Sequence, residues 1–159
     1  MFKFILCAVL LSLASLDRAQ ADQSKPVNFQ YTATDGTNVD VATMRGKVVL
    51  IMFWATWSPE SRAQVPIIMA VRKKYHAQGF EIVGVSLDED ETTLNTFTDE
   101  YNMSWPEYFD GKGPNSDIYK SMKIKSLPAM WLIGKDGRII SADATKNLDA
   151  MVAKALQAH

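Results

Sequence analysis

The sequence predicts an α/β protein with a central mixed sheet, helices on both faces of the sheet and an N-terminal β-hairpin. Two continuous apolar segments, Lys47–Phe53 and Phe80–Leu87, have the length and composition of strands that are buried on both faces. The segment between them has helical spacing, so the three form a β-α-β unit with parallel strands. Two Asp-Gly turns, at Asp35-Gly36 and Asp136-Gly137, lie between apolar segments, as in β-hairpins.

The first 21 residues have the pattern of a secretory signal peptide. Lys3 makes the start basic, Ile5–Leu16 is apolar, and Ala19-Gln20-Ala21 is a small-residue cleavage site. The apolar segment, about 12 residues, is too short to cross a hydrocarbon core of roughly 30 Å. We therefore expect cleavage after Ala21 and a single domain over residues 22–159. This domain is expected to be periplasmic or secreted, with no stable membrane insertion.

The mature chain is expected to begin with the hairpin. Val27–Ala33 and Val39–Val41 flank the polar turn Thr34–Thr37, which predicts two antiparallel strands. Arg45-Gly46 then bounds the apolar run that starts at Lys47. This run is the first central strand.

A long helix is predicted after this strand. Pro59 suits the first helical turn, Gly79 can close the helix, and Pro66 is expected to bend it without ending it. The second central strand follows. The acidic run Asp88–Glu91 is then typical of the start of another helix, because acidic side chains interact favourably with the N-terminal end of the helix dipole.

The C-terminal part contains one irregular segment and three further elements. Asn102–Gly113 predicts no regular structure, and Asn115–Met122 predicts a short helix. Ala129–Gly134 and Arg138–Ala142 predict a second hairpin. Apolar residues recur from Leu148 to Leu156 and predict a final helix.

Charge and cysteine content exclude several functions. Cleavage after Ala21 removes Lys3, Asp17 and Arg18, so the mature net charge is (17 − 2) − (18 − 1) = −2. The basic residues form no stripe, which argues against nucleic acid and anionic membranes as partners. The only cysteine, Cys7, lies in the predicted signal peptide. The mature chain would therefore contain no thiol and no disulfide.

Several motifs, in order along the chain, resemble those of TlpA/ResA-type thioredoxin-like proteins, which are grouped with the redoxins. The resemblance covers about residues 27 to 158 and predicts a thioredoxin-like fold. The matching segments are Met44–Leu50, Phe53–Trp57, Arg62–Pro66, Val83–Asp88, Ser126–Pro128 and Leu132–Ile139.

The resemblance places the family's Cys-x-x-Cys pair at Ser58 and Ser61. A serine hydroxyl does not ionise usefully near neutral pH and forms no disulfide, so the dithiol chemistry of the family lacks its reactive atoms. In that family the proline that matches Pro128 is cis, faces the dithiol, and lies beside backbone that pairs with an extended substrate peptide. A surface of Trp57, Pro59, Leu127 and Pro128 is therefore a candidate site for a protein or extended peptide.

Two functions remain open at this point. The first is the binding of a protein or extended peptide without redox activity. Alternatively, the chain is a thiol-disulfide oxidoreductase or peroxide reductase by family membership, with Ser58 and Ser61 as engineered or lineage-specific replacements of cysteine. A serine hydrolase is disfavoured, because His76 lies about 27 Å along the helix from Ser58 and His159 is the last residue. Ser58 is instead expected to cap the helix.

The remaining polar motifs predict no cofactor and no metal. The run that begins at Asp88 lacks the ligand spacing of a calcium loop, and Gly111-Lys112-Gly113 lacks that of a phosphate loop. Glu81 could be a buried acid of the kind found behind a dithiol, but a glutamate that opens a strand is more often exposed. We expect it to point to solvent, and we expect the domain to be a monomer.

Overall fold

The computed structural model describes residues 25–158. Two strands, β1 (Gln30–Thr32) and β2 (Asn38–Asp40), pair antiparallel as an N-terminal hairpin. The other five strands form one sheet. They are β3 (Val48–Trp54), β4 (Phe80–Ser86), β5 (Glu107–Tyr108), β6 (Ala129–Ile133) and β7 (Ile139–Ser141).

The sheet is mixed, with the order β5-β4-β3-β6-β7. The central strand β3 runs parallel to β4, which in turn runs parallel to β5, while β6 is antiparallel to both β3 and β7. The carboxyl ends of the three parallel strands therefore lie at one edge of the sheet. This edge carries the corner that contains Ser58.

Four helices complete the fold: α1 (Pro59–Tyr75), α2 (Glu91–Glu100), α3 (Asp117–Ser121) and α4 (Leu148–Gln157). As predicted, α1 begins at Pro59 and contains Pro66. A short 3-10 turn extends it to Gly79, whose φ of 96° is in the left-handed region that glycine tolerates.

The sheet separates two apolar cores, because successive side chains of a strand point to opposite faces. All seven residues of β3 are buried. Leu50 and Met52 pack on the face covered by α1, α2 and α4, whereas Ile51 and Phe53 pack on the face covered by the hairpin and α3. The predicted fold, a mixed sheet with helices on both faces and an N-terminal hairpin, is confirmed.

Three details differ from the sequence predictions. The hairpin strands are three residues each, because Val27 to Phe29 lies outside the ladder and Val41 begins a 3-10 turn. The segment 102–113, predicted to be irregular, contributes β5 at the edge of the sheet. Two residues are too few to show strand periodicity. In the segment 115–122, α3 spans only Asp117–Ser121.

The predicted signal peptide, residues 1–21, and its cleavage site lie outside the described residues. Within residues 25–158, no helix combines the length and the apolar character needed to cross a bilayer.

Candidate functional site

The candidate site is the corner where β3 leads into α1. Ser58 is the N-cap of α1, and its Oγ accepts a hydrogen bond from the backbone N–H of Ser61 at 3.1 Å. Both serines are buried. The predicted capping role of Ser58 is therefore confirmed, and its side chain points toward residue 61.

Removal of this cap is expected to destabilise the fold. Ser58→Ala leaves the N–H of Ser61 without its acceptor, and should lower the free energy of unfolding by about 1 kcal/mol. Urea denaturation would measure this change. Ser121→Ala is the matched control, because the exposed Ser121 hydroxyl bonds only a carbonyl of its own helix. Equal losses in the two variants would contradict the capping role.

A cleft of about 490 Å³ opens beside this corner. Its walls include Glu60 and Gln64 of α1 together with Leu127 and Pro128. The Leu127–Pro128 peptide bond is cis, as the resemblance to the thioredoxin-like proteins implies. The structure thus brings the two loop residues of the predicted binding surface close to the start of α1.

Trp57 and Pro59, the other two predicted binding residues, do not line this cleft. Both are exposed at the corner itself, and Trp57 is 58% exposed. The other three tryptophans are buried. The exposed indole of Trp57 therefore lies directly next to the buried Ser58 at the corner.

Two buried polar atoms of α1 have no hydrogen-bond partner among residues 25–158 close to the corner. They are Ser61 Oγ and Gln64 Oε1. Buried polar groups are nearly always paired, and unpaired ones often belong to functional sites. The interior of the corner therefore retains polar groups that are not used by the fold.

Asp88 connects the corner to the end of β4 through hydrogen bonds. Its buried carboxylate accepts hydrogen bonds from the backbone N–H and Oγ1 of Thr56, the latter at 2.6 Å, and from Ser86 Oγ at 2.7 Å. The prediction that the acidic run caps a helix holds for Asp90, which accepts from Thr93 N–H. The hydrogen bonds from Thr93 Oγ1 and from the Thr93 backbone N–H hold the pKa of Asp90 below its usual range. Asp88 does not cap; it ties the end of β4 to the corner.

Glu107 is a buried acid that no sequence pattern identified. Its carboxyl group lies over Gly84 of β4 and accepts hydrogen bonds from Trp54 Nε1 at 3.0 Å and Trp105 Nε1 at 2.8 Å. Only its position in the aromatic run Trp105–Phe109 could have drawn attention to it. Glu81, by contrast, is partly exposed and pairs with Lys47 at 2.8 Å, as expected for an acid that points outward.

Burial raises the pKa of Glu107 to about 8. The negative charge of Asp88 adds to the rise, whereas the two indole hydrogen bonds oppose it. Burial and the charge of Glu107 also raise the pKa of Tyr31. Glu107 therefore holds a proton in the folded protein at pH values where a glutamate in water has lost it.

This raised pKa predicts a pH-dependent stability that Glu107→Gln removes. Between about pH 4.5 and pH 8 the unfolded chain loses the proton of Glu107 while the folded chain keeps it, so stability falls as the pH rises through this window. Below about pH 4.5, Glu107 is protonated in both the folded and the unfolded chain, so the stability does not depend on its titration. Above about pH 8, it is ionised in both, and the stability stays at the lower value. The decrease over the whole window should be on the order of 5 kcal/mol.

Urea denaturation at pH 5, 6.5 and 8 would test this prediction. The Gln variant is expected to be destabilised at every pH, because its amide can accept only one of the two indole N–H groups. Its stability, however, should lack this pH-dependent decrease. Glu81→Gln serves as the control and should retain the slope of the unchanged protein. Parallel curves for the unchanged protein and Glu107→Gln would contradict the prediction.

None of the residues 25–158 form a group of three or more His, Cys, Asp or Glu side chains that could hold a metal ion. The corner presents hydroxyl, amide and carboxylate groups beside the exposed indole of Trp57.

Solved thioredoxin-like proteins share this architecture. A Chlorobium tepidum protein described as a thiol:disulfide interchange protein DsbE has a TM-score of 0.73 and 25% identity, over 83% of this chain and 95% of its own. A thiol-disulfide oxidoreductase of Bacteroides fragilis has the same fold, with a TM-score of 0.69 and 24% identity, over 80% of this chain and 98% of its own. The chain belongs to the AhpC/TSA family, whose sequence pattern matches residues 23–142.

Curated relatives confirm the resemblance to the ResA type. Thiol-disulfide oxidoreductase ResA of Oceanobacillus iheyensis is 35% identical over 66% of this chain and 53% of its own length. ResA of Halalkalibacterium halodurans is 31% identical over 79% of this chain and 70% of its own length. The chain thus matches only about half of the Oceanobacillus protein.

Proposed function

We propose that this chain is an exported ResA-type domain that has no thiol redox activity. We further propose that it binds a protein or an extended peptide at a surface of Trp57, Pro59, Leu127 and Pro128. The observation that carries the proposal is the combination of serine at both dithiol positions with an otherwise complete corner. This corner retains the helix cap, the cis-proline loop and an exposed tryptophan.

The loss of redox activity follows from the chemistry of the corner. Disulfide exchange requires a thiolate that attacks a disulfide sulfur, and a serine hydroxyl cannot replace it. Cys7 cannot contribute once a signal peptide ending at Ala21 has been removed. Export to the periplasm or the medium is part of the proposal, because the basic, apolar and small-residue segments of the first 21 residues suit a secretory signal.

Peptide binding is supported by the free backbone beside the cis-proline. Ser126 and Leu127 precede β6, and among residues 25–158 their backbone groups form no backbone hydrogen bond. Such groups can pair with an added strand, and neighbouring pockets can then accept its side chains. The cleft next to Pro128 offers polar contacts, and the exposed ring of Trp57 at the start of α1 offers an apolar one.

A display library of random extended peptides would test the proposal. The protein is expected to enrich a set of related sequences, and Trp57→Ala should weaken their binding by about tenfold or more, as is usual for an aromatic anchor. Ile140→Ala is the matched control, since Ile140 is a similarly exposed apolar residue on β7. Enrichment of no sequence, or equal binding by the two variants, would contradict the proposed surface.

The names of the ResA relatives favour a second candidate, thiol-disulfide oxidoreductase activity. This candidate requires that Ser58 and Ser61 replace cysteines of the natural protein. The natural coding sequence at these two positions would decide the point. If the chain with both serines reduced insulin disulfides in the presence of dithiothreitol, the proposal of redox inactivity would fail.

A further inference from the structure

A second cavity lies on the far half of α1, away from the Ser58 corner. It has a volume of about 360 Å³ and lies between α1 and the segment that follows α2. Arg72 and Lys73 line one wall, and Ser104 and Trp105 line the other. Since Arg72 is 14 residues beyond Ser58, the two sites are about 20 Å apart along the helix axis.

The two cations of this cavity are not neutralised by the fold. Arg72 Nε is buried and has no hydrogen-bond partner among the described residues. None of the ion pairs within residues 25–158 involves Arg72 or Lys73. Lys47 and Lys112, by contrast, each lie 2.8 Å from a carboxylate. A buried donor without an acceptor is unfavourable, so this wall is suited to an anion from outside the chain.

The rest of the cavity wall is largely apolar. Met69 and the ring of Trp105 supply the apolar surface. The indole N–H of Trp105 already donates to Glu107. The ring of Trp105 therefore lines the cavity, but its N–H is not available to a ligand. Asn102, whose backbone is left-handed at φ 52°, and Ser104 are exposed polar residues of the opening.

We propose that this cavity binds a small carboxylate that carries an apolar group. The guanidinium of Arg72 matches the planar geometry of a carboxylate, Lys73 adds a second positive charge, and the hydrocarbon part lies against Met69 and Trp105. A cavity of this size is within the range of small-molecule sites. The ligand is either a free aliphatic acid or the C-terminal carboxylate of a peptide with an apolar last residue.

NMR titration of the purified chain with hexanoate is the test. The indole signal of Trp105, assigned with Trp105→Phe, and the amide signals of residues 102–105 are expected to shift and saturate. Hexan-1-ol has the same apolar chain without the charge and should bind at least about tenfold more weakly. N-acetyl-Ala-Leu and its C-terminal amide form the second pair of probes. Tighter binding of hexanoate or of the dipeptide acid would identify the source of the carboxylate.

Variants of α1 complete the design. Arg72→Met retains the apolar stem and should weaken hexanoate binding by at least about tenfold, and Arg72→Lys should restore part of the affinity. Arg62→Met makes the same change at an exposed position of the same helix and should have no effect. If hexanoate and hexan-1-ol bound equally well, if Arg72→Met and Arg62→Met behaved alike, or if the signals of residues 102–105 did not move, the proposal would be overturned.

Discussion

The double replacement Ser58→Cys with Ser61→Cys is expected to give this chain disulfide reductase activity. In an insulin reduction assay with dithiothreitol, the variant should react at least about 100-fold faster than the unchanged chain, whose rate should equal the background. In each cycle, two thiols would pass two electrons to one insulin disulfide and form a disulfide between residues 58 and 61. Dithiothreitol would then reduce this bond.

The physical reason is the position of residue 58 at the N-terminal end of α1. Unpaired backbone N–H groups and the helix dipole stabilise a thiolate there and lower its pKa. The side chain of Ser58 already accepts a hydrogen bond from the backbone N–H of residue 61, so a sulfur at residue 58 would lie close to the backbone of residue 61. We therefore expect the corner to support disulfide exchange once both residues carry sulfur.

The single variant Ser61→Cys is the control for this experiment. It adds a thiol at the buried second position but cannot form the internal disulfide, so its rate should stay close to the background. If the double variant folded with unchanged circular dichroism and still failed to reduce insulin, the inference that the corner remains competent would be wrong.

The second large effect is expected from Gly84→Ala in the central strand β4. A methyl group at residue 84 would overlap the carboxyl group of Glu107, which is buried between two indoles. The carboxyl group cannot move aside without the loss of one or both indole hydrogen bonds. The substitution should therefore lower the free energy of unfolding by about 3 kcal/mol or more, as measured by urea denaturation.

A double-mutant cycle would show that the overlap is the cause. Glu107→Ala alone leaves both indole N–H groups without an acceptor and is also expected to be destabilising. In the double variant the added methyl group occupies space that the carboxyl group has vacated. The combined loss should be smaller than the sum of the single losses by about 2 kcal/mol. Additive losses would mean that the two residues are not coupled.

The architecture could be predicted because its main signals are local. The apolar runs of β3 and β4, the proline at the first turn of α1 and the Asp-Gly turn between β6 and β7 each determine an element within a few residues. The short strand β5 could not be predicted in this way, because its two residues pair with β4 only through the tertiary fold. The ends of the two hairpin strands β1 and β2 likewise depend on contacts that form only in the tertiary fold.

The candidate site was predictable where a motif defines it. Trp57 and the Leu127-Pro128 loop lie in segments that resemble the family, and Ser58 and Ser61 occupy the two positions where the family has cysteine. Glu107 and Asp88 were not predictable as buried acids, because one partner of each, Trp54 for Glu107 and Thr56 for Asp88, lies more than 30 positions away in sequence. That Arg72 has no partner among residues 25–158 could not be foreseen either, since this depends on which carboxylates lie nearby in space.

The hydrogen bond from Trp54 to Glu107 also ties the edge strand β5 to the central strand β3. The edge strand β5, which carries Glu107, pairs with the sheet through only two residue pairs. Its neighbour in the sheet is the apolar strand β4. If the link were broken, this inner strand would present unpaired amide and carbonyl groups to other molecules, which is a common start of aggregation. The hydrogen bonds of this one carboxyl group therefore help β5 to cover the edge of β4.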